Sequence, residues 1–314
     1  MPMDRHSLSH LPNFSELKGS GAIEARAAGT LSMLRDVMSQ YSAFFERRLT
    51  GEELAERIQR VSRPLIGRTF LSAQKQVFEI GEFLGNGARG VVFAATSQDS
   101  TRRELALKLT KPFDPSIKDS DRDSFRANFY NETKALTILR AQKNGDAPLL
   151  EESALIRAGS EKEVVGATLM SRLRERSLHS VFMEALNSER GIPELAQSLG
   201  AMLEAGHRIA SCGIEIEDLG ITNTFVSTND PNFVKLFDFG NTSFPRSKQE
   251  AVSQSAKHAG FGLYSLIEGA DKDARAEGRK ASAEFIERIA EPVLDLNDGK
   301  CSLQDAAKEI RKIS

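Results

Sequence analysis

The chain of 314 residues contains no tryptophan and only two cysteines, Cys212 and Cys301. Two cysteines exclude a disulfide framework and a cysteine-rich metal cluster. The five histidines are scattered, and none of them pairs with another ligand at zinc spacing. No run of about 18 apolar residues is present, so the sequence predicts no membrane-spanning segment.

A charge excess of one sign is also lacking. The 42 lysines and arginines nearly balance the 44 aspartates and glutamates, which leaves a formal net charge of −2. There is therefore no electrostatic reason to expect a nucleic acid or an anionic membrane as partner. The first residues, MPMDRHSLSHLPNFSEL, are polar and lack the apolar core of a secretory signal. Apolar and charged contents of 40% and 27% are ordinary for a soluble globular protein.

The N-terminal part of the chain divides into two segments. Residues 1–20 have little periodicity, and we expect them to be disordered. In residues 21–75 apolar side chains recur every three or four positions, which predicts helices. Thr50 and Glu53 have the spacing of a capping box at the start of one of these helices.

From Val77 onward the apolar period changes to two. The stretches VFEIGEFLG, GVVFAAT and RELALKLT predict three short strands. A polar loop at 112–121, a helix in RDSFRANFYNETKALTILRAQ and a hairpin turning at Ser160–Lys162 follow. After about Ser177 the pattern is mostly helical, interrupted by two short strands around a polar turn at Thr228–Asn232. The sequence therefore predicts an α+β protein with a β-rich half followed by an α-rich half.

Three glycines, Gly85, Gly87 and Gly90, have G-x-G-x-x-G spacing between the first two strands. Alone, this pattern is more typical of a tight turn than of a binding loop. Lys108 lies on the third predicted strand, where a lysine is costly unless it is paired. Glu132, in the middle of the predicted helix and flanked by apolar positions, is a candidate partner.

Further along the chain, Asp218 and Asn223 are five residues apart in EDLGITN, and Asp238-Phe239-Gly240 ends the strand FVKLFDFG. Each feature has an ordinary structural explanation. Asp and Asn are common turn residues, and a strand-end lysine can extend to water. Together, in this order and approximate spacing, they are what phosphoryl transfer from ATP requires.

The whole set resembles the protein kinase fold over about residues 77–270. The resemblance implies a bilobal, protein-kinase-like α+β domain at 76–314, preceded by the helical region. A small β-rich N-lobe with one helix would occupy 76–172, and a larger helical C-lobe would occupy 173–314. ATP and Mg²⁺ are the implied cofactors, and a protein serine or threonine is the implied substrate.

The resemblance also assigns roles to residues. Asp218 would accept the proton of the substrate hydroxyl, Lys108 would hold the α- and β-phosphates, and Glu132 would position Lys108. Asn223 and Asp238 would bind Mg²⁺. The positions implied to bind ATP, the last of them at the gatekeeper position, are Gly85, Asn86, Gly87, Ala88, Arg89, Gly90, Val92, Ala106, Lys108 and Met170.

The sequence departs from the family's pattern at three places. Glu217 replaces the arginine that clamps a phosphorylated activation loop, and an acidic residue would repel that phosphate. We therefore expect that phosphorylation of this loop does not switch the protein on. Gly220 replaces the lysine that helps to hold the γ-phosphate. About 17 residues separate Gly240 from the apolar stretch HAGFGLYSLIEG, without an A-P-E motif, so we expect a truncated activation segment.

This combination, with Thr222-Asn223 ending the catalytic loop, is similar to the effector kinases that Gram-negative bacteria secrete through type III systems. That resemblance implies export into the host-cell cytosol and a virulence role in damping innate signalling. It further implies a secretion chaperone at the N-terminal region and a ubiquitin-charged conjugating enzyme as host partner.

Three functions remain open from the sequence. The first is an active Ser/Thr protein kinase, which the five chemistry-bearing residues favour. The second is a kinase-fold scaffold that binds a host protein such as the charged conjugating enzyme, which Glu217 and Gly220 favour. The third is a small-molecule phosphotransferase related to antibiotic or sugar kinases. Those enzymes share the D-x-x-x-x-N loop, although Phe-Gly rarely follows their metal-binding aspartate.

Overall fold

The computed structural model describes residues 30, 32–34, 36–40, 51–72, 76–87, 89–113, 125–157 and 164–313. The predicted disorder at 1–20, the capping residue Thr50 and the turn at Ser160–Lys162 lie outside these residues. The described part of the chain is a mixture of helices and antiparallel strands, so the predicted α+β class is confirmed.

The chain separates into two compact units. The first holds the described residues up to Thr133 together with Leu150–Arg172. The second holds Lys134–Leu149 and the described residues from Leu173 onward. The described N-terminal helical residues therefore belong to the same unit as the first strands.

A six-stranded antiparallel sheet with the order β1-β2-β3-β4-β6-β5 forms the centre of the first unit. Its strands are β1 (Thr69–Leu71), β2 (Val77–Gly87), β3 (Gly90–Ser97), β4 (Glu104–Thr110), β5 (Leu150–Arg157) and β6 (Val164–Ser171). This unit also holds described helical residues within 30–40, helix α1 (Gly51–Ser62) and a 3₁₀ turn at Arg63–Leu65. Helix α2 (Phe125–Ala141) belongs to it as far as Thr133, and its last turns belong to the second unit. The three strands and the helix predicted from residues 77–142 are confirmed. Strand β1 was not predicted, because three residues are too few to show an alternation of apolar and polar side chains.

One face of β4 is buried in a hydrophobic core. Leu105, Leu107 and Leu109 alternate along the strand and point into one hydrophobic core. The described N-terminal helical residues supply the other side of this core: Leu34, Val37, Met38, Leu54, Ile58 and Leu65. These described apolar residues of the N-terminal region are therefore buried against the sheet.

Helix α2 packs close to the sheet at Gly166. A Cβ built on Gly166 would lie 2.4 Å from the ring of Phe129, which is fully buried. Phe113 lies beside the same ring, with ring centroids 6.0 Å apart. Glycine at position 166 therefore lets the helix approach this strand closely.

The second unit is built mainly from helices. These are α3 (Leu178–Ser188), α4 (Ile192–Ala210), α5 (Lys248–Ala276), α6 (Lys280–Asn297) and α7 (Leu303–Arg311). Five short strands accompany them: β7 (Arg176–Ser177), β8 (Glu215–Ile216), β9 (Thr224–Val226), β10 (Val234–Leu236) and β11 (Thr242–Ser243). Strand β9 lies between β10 and β7, and β8 pairs with β11. The predicted strand pair around the polar turn is confirmed as β9 and β10.

Helix α5 begins earlier than the sequence indicates. The apolar stretch HAGFGLYSLIEG suggested a start near His258, but the helix starts at Lys248. Ser247 caps it by accepting a hydrogen bond from the amide of Glu250 at 3.1 Å. The first turns bury only small side chains, among them Ala251 and Ser255, so hydropathy alone did not reveal them.

Gly90 gives the first testable prediction. A Cβ at this position would lie 2.1 Å from the carbonyl oxygen of Leu109, inside the β3–β4 ladder, so the neighbouring backbone would have to move. We expect Gly90→Ala to lower the free energy of unfolding by about 2–3 kcal/mol in urea denaturation. Gly87→Ala is the matched control, because no described atom lies within 4 Å of its added Cβ. Equal effects of the two substitutions would contradict the explanation.

Candidate functional site

The glycine-rich stretch forms the hairpin between β2 and β3. Gly85 pairs with Val92 and Gly87 pairs with Gly90, which leaves positions 88 and 89 at the turn. Ala88 lies outside the described residues. Close packing against the Leu109 backbone explains why position 90 is a glycine. In contrast, no described atom lies within 4 Å of a Cβ built on Gly85 or Gly87. The open space at these two positions would let a ligand approach the backbone closely.

Lys108 and Glu132 form the ion pair that the sequence suggested. The Nζ of Lys108 lies 2.8 Å from Oε1 of Glu132, and the two side chains are 15% and 4% exposed. Lys108 lies between Val92 on β3 and Thr168 on β6. The pair therefore connects the centre of the sheet to helix α2, and it keeps the ammonium at the surface of an otherwise apolar face.

The face of the sheet that carries Lys108 is lined by small and apolar side chains. Ala106, two residues before the lysine on the same strand, pairs with Ala94 and Met170, and all three are buried. Leu84, immediately before the first glycine of the hairpin, is 38% exposed. The sequence analysis did not single out Leu84, although an exposed leucine next to a glycine pair was its available signal.

Arg89, at the turn of the hairpin, donates a hydrogen bond to Oδ1 of Asn128 on α2. Asn128 is one helical turn before Glu132, so both side chains lie on the same face of the helix. The sequence predicts Arg89 in the glycine-rich loop but gives no role to Asn128. The four-residue spacing from Glu132 was the signal that could have identified it.

The catalytic-loop candidates lie together in the second unit. The side-chain amide of Asn223 donates a hydrogen bond to the carbonyl of Asp218 at 3.1 Å, which closes the five-residue loop. Thr224 closes it again by donating from Oγ1 to the carbonyl of Gly220 at 2.8 Å. The Asp218 side chain is exposed. The amide oxygen of Asn223 accepts no hydrogen bond among the described residues.

Asp238 has a left-handed backbone conformation, with φ of 62°. Aspartate tolerates this conformation better than most residues, but it remains costly and is common at functional sites. The amide of Phe237 donates to the carbonyl of Asn223 at 3.0 Å, which joins this strand end to the loop of Asp218. Phe239, the next residue, is buried and anchors the turn.

These residues have the chemistry of a magnesium site. Mg²⁺ prefers oxygen ligands and usually takes one or two carboxylates together with water and substrate phosphates. The Asp238 carboxylate and the Asn223 amide oxygen match that donor set. In the described part of the chain, no cluster of three or more His, Cys, Asp or Glu side chains could hold a metal ion alone.

The segment after Asp238 is short and held at several points. Only residues 241–247 separate Gly240 from α5. The pairing of β11 with β8 fixes its first part, and Oγ of Ser243 donates to Glu215 at 2.6 Å. The ammonium of Lys134 lies 3.8 Å from the ring centroid of Phe244, and burial lowers the pKa of that ammonium. The segment between Gly240 and α5 is therefore shorter than the 17 residues expected from the sequence.

A double-mutant cycle tests the ion pair. Lys108→Met and Glu132→Gln each remove one partner from a largely buried pair, so we expect each to lower the free energy of unfolding by about 1–3 kcal/mol. The double variant should lose less than the sum, with a coupling of about 1 kcal/mol or more in urea denaturation.

The exposed pair Lys272–Glu268, at 3.1 Å, is the control for this cycle. Its coupling between Lys272→Met and Glu268→Gln should stay below about 0.5 kcal/mol, because water screens it. A coupling at Lys108–Glu132 no larger than this value would contradict the role given to the buried pair.

Among the described residues, no helix is both long and apolar enough to cross a membrane. No protein-family model matches the chain, and a search of curated proteins finds no match to its sequence. What the protein does must therefore be inferred from the contacts that its own residues make within each unit.

Proposed function

We propose that the protein is an ATP-dependent protein kinase that transfers the γ-phosphate to a serine or threonine hydroxyl. The observation that carries the proposal is the ion pair of Lys108 with Glu132, next to a glycine hairpin whose first two glycines have no packing reason. Gly85, Val92, Lys108 and Thr168 form one row across the sheet. In a protein kinase the glycine-rich loop and the strand lysine hold the phosphates of ATP.

In the first unit, the hairpin backbone would approach the phosphates, since Gly85 and Gly87 present no side chain. Lys108, held by Glu132, would neutralise the α- and β-phosphates. The apolar surface formed by Val92, Ala106 and Met170 suits a flat adenine ring. The exposed Leu84 would cover that ring from the hairpin side.

In the second unit, Asp218 would accept the proton of the substrate hydroxyl, and Asn223 and Asp238 would hold Mg²⁺. The metal supplies positive charge that stabilises the phosphates during transfer. The hydrogen bond from Asn223 to the carbonyl of Asp218 keeps the proton acceptor and one metal ligand in fixed relation. In the transfer, the hydroxyl oxygen bonds to the γ-phosphorus, the bond to the β,γ-bridging oxygen breaks, and ADP leaves.

Several contacts support a kinase that works without phosphorylation of its activation segment. This segment is anchored by the β8–β11 pair and by Lys134 against Phe244. Ser243 donates to Glu215, so a phosphate at Ser243 would face a carboxylate. The roles in host signalling, in type III export and in binding a charged conjugating enzyme have the sequence resemblance as their only support.

The second candidate function is a kinase-fold scaffold that binds ATP and a partner protein but transfers no phosphate. Gly220 favours it, because the γ-phosphate loses the lysine that the family places there. The catalytic loop from Glu215 to Asn223 contains three acidic residues and no lysine or arginine. The two functions differ in one measurable respect, which is phosphate transfer.

Phosphate transfer from radiolabelled ATP with Mg²⁺, to the protein itself and to a generic basic protein, tests the proposal. We expect Asp218→Asn to reduce transfer by about 10²–10⁴-fold, because it removes the proton acceptor. Asp238→Ala should abolish transfer by removing a metal ligand. The control Glu268→Gln, on an exposed turn of α5, should retain full activity.

Transfer that persists at the wild-type level in both aspartate variants would refute the assignment of the site. If the wild type shows no transfer but its melting temperature rises with Mg²⁺ and ATP, the scaffold function replaces the kinase function, because a ligand of the native state stabilises it.

A further inference from the structure

An exposed pair of aromatic side chains on α5 is the starting observation. Phe261 and Tyr264 are three residues apart on this helix, so their side chains are neighbours on its surface. Phe261 is 68% exposed and Tyr264 is 37% exposed, whereas Leu263 and Ile267 on the same turns are buried. Aromatic side chains are enriched where proteins bind partners, so this aromatic pair is a candidate contact surface.

The catalytic loop lies along the same part of α5, within the second unit. The Nε2 of His258 lies 3.2 Å from Oε1 of Glu215. One helical turn further on, a Cβ built on Gly262 would lie 3.8 Å from the carbonyl oxygen of Leu219. Residues 215–219 therefore run along α5 from His258 to Gly262, and Phe261, the residue before Gly262, lies beside this loop.

The loop brings negative charge to the aromatic pair. Glu215 already has partners, because it accepts a hydrogen bond from Ser243 and faces His258. Glu217 and Asp218 follow it, between the two points where the loop meets α5. In the described part of the chain, no ion pair or side-chain hydrogen bond engages either of these two carboxylates.

The lysines in the first half of α5 lie against other parts of the unit. A Cβ built on Gly213 would lie 3.9 Å from Cγ of Lys248, near the start of the helix. A Cβ built on Gly299 would lie 3.2 Å from Cε of Lys257, which places that side chain against the connection between α6 and α7. The carboxylates beside the aromatic pair therefore await a cation from outside the described residues.

Aromatic rings next to carboxylates suit an arginine side chain. A guanidinium stacks on an aromatic face and donates paired hydrogen bonds to a carboxylate, whereas a lysine ammonium acts as a point charge. An apolar side chain would leave the carboxylates without a partner, and an acidic one would be repelled. The charge and the aromatic character of this surface are thus complementary to a peptide that carries arginine.

We propose that Phe261, Tyr264 and Glu217 form a docking surface for an arginine-bearing segment of the protein substrate. The aromatic pair stacks on guanidinium groups, Glu217 accepts their hydrogen bonds, and Asp218 remains available to the substrate hydroxyl. This inference rests on the proposed kinase function and names the class of substrate that it takes.

The first experiment measures peptide binding by fluorescence anisotropy, without nucleotide. The probe is a fluorescein-labelled peptide of glycine and arginine with one central serine. Two comparison peptides replace every arginine by lysine or by citrulline, the uncharged isostere of arginine. We expect the lysine peptide to bind about 2–5-fold more weakly and the citrulline peptide at least about tenfold more weakly. Equal affinities for the arginine and citrulline peptides would overturn the proposal.

A substitution in the full chain tests the aromatic contact. Phe261→Leu keeps an exposed apolar side chain but removes the ring, so we expect it to weaken binding of the arginine peptide by about 3–5-fold. Phe233→Leu is the matched control, because it removes another exposed ring, at the turn end of the β9–β10 pair. This control should bind like the wild type. Equal effects of the two substitutions would refute the aromatic contact.

A second substitution tests the charge. Glu217→Gln should weaken binding of the arginine peptide by about fivefold at low salt, and the difference from the wild type should shrink as salt is added. Glu309→Gln, on an exposed position of α7, removes the same charge elsewhere and should have no effect. Wild-type affinity in Glu217→Gln at low salt, in a protein that melts like the wild type, would overturn the proposal.

Phosphate transfer to the same peptides separates this inference from the proposed function. We expect Phe261→Leu and Glu217→Gln to raise KM for the arginine peptide and to leave kcat within about twofold. If the arginine peptide binds through these residues but receives no phosphate, the kinase function fails and the docking surface stands. If the arginine and citrulline peptides are phosphorylated equally well, the docking surface fails and the kinase function stands. If there is neither binding nor transfer, both fail.

Discussion

The alternation of side chains along β4 is the constraint on which the first unit depends. Leu105, Leu107 and Leu109 must face the hydrophobic core, so Ala106 and Lys108 must face the other way. A shift of one residue would place the lysine among leucines and phenylalanines, where an ammonium is not tolerated. The ion pair with Glu132 of α2 stabilises the lysine on its own face, so it couples the strand register to the position of the helix.

The same arrangement explains how the glycines divide their roles. Gly90 is required by the close approach of β4, and Gly166 by the close approach of α2. Gly85 has a backbone φ of 159°, at the edge of the region that favours glycine, and it lies in the row that leads to Lys108. Gly87 pairs with Gly90 outside that row, and no described atom lies within 4 Å of a Cβ built on either residue. The open space at these two glycines, beside a largely buried ammonium, supports the proposed phosphate ligand.

In the second unit, strand pairing and side-chain contacts hold the short segment after Gly240 in place. Hydrogen bonds from Phe237 to Asn223 and from Glu217 to Asn241 connect the segment that carries Asp238 to the loop of Asp218. With seven residues before α5, little chain remains that phosphorylation could order. The loop itself is acidic, with Glu215, Glu217 and Asp218 and no lysine or arginine between residues 215 and 223.

By itself, the sequence determined the strands with a period of two, the long helix α2 and the pairing of Lys108 with Glu132, because alternation and the cost of an unpaired charge are local or nearly local properties. It did not reveal β1, the first turns of α5 or the contact of Arg89 with Asn128. Short strands and small buried residues have almost no periodic signal. Contacts between residues 39 or more positions apart in the chain depend on how the elements pack, and only the tertiary structure decides that.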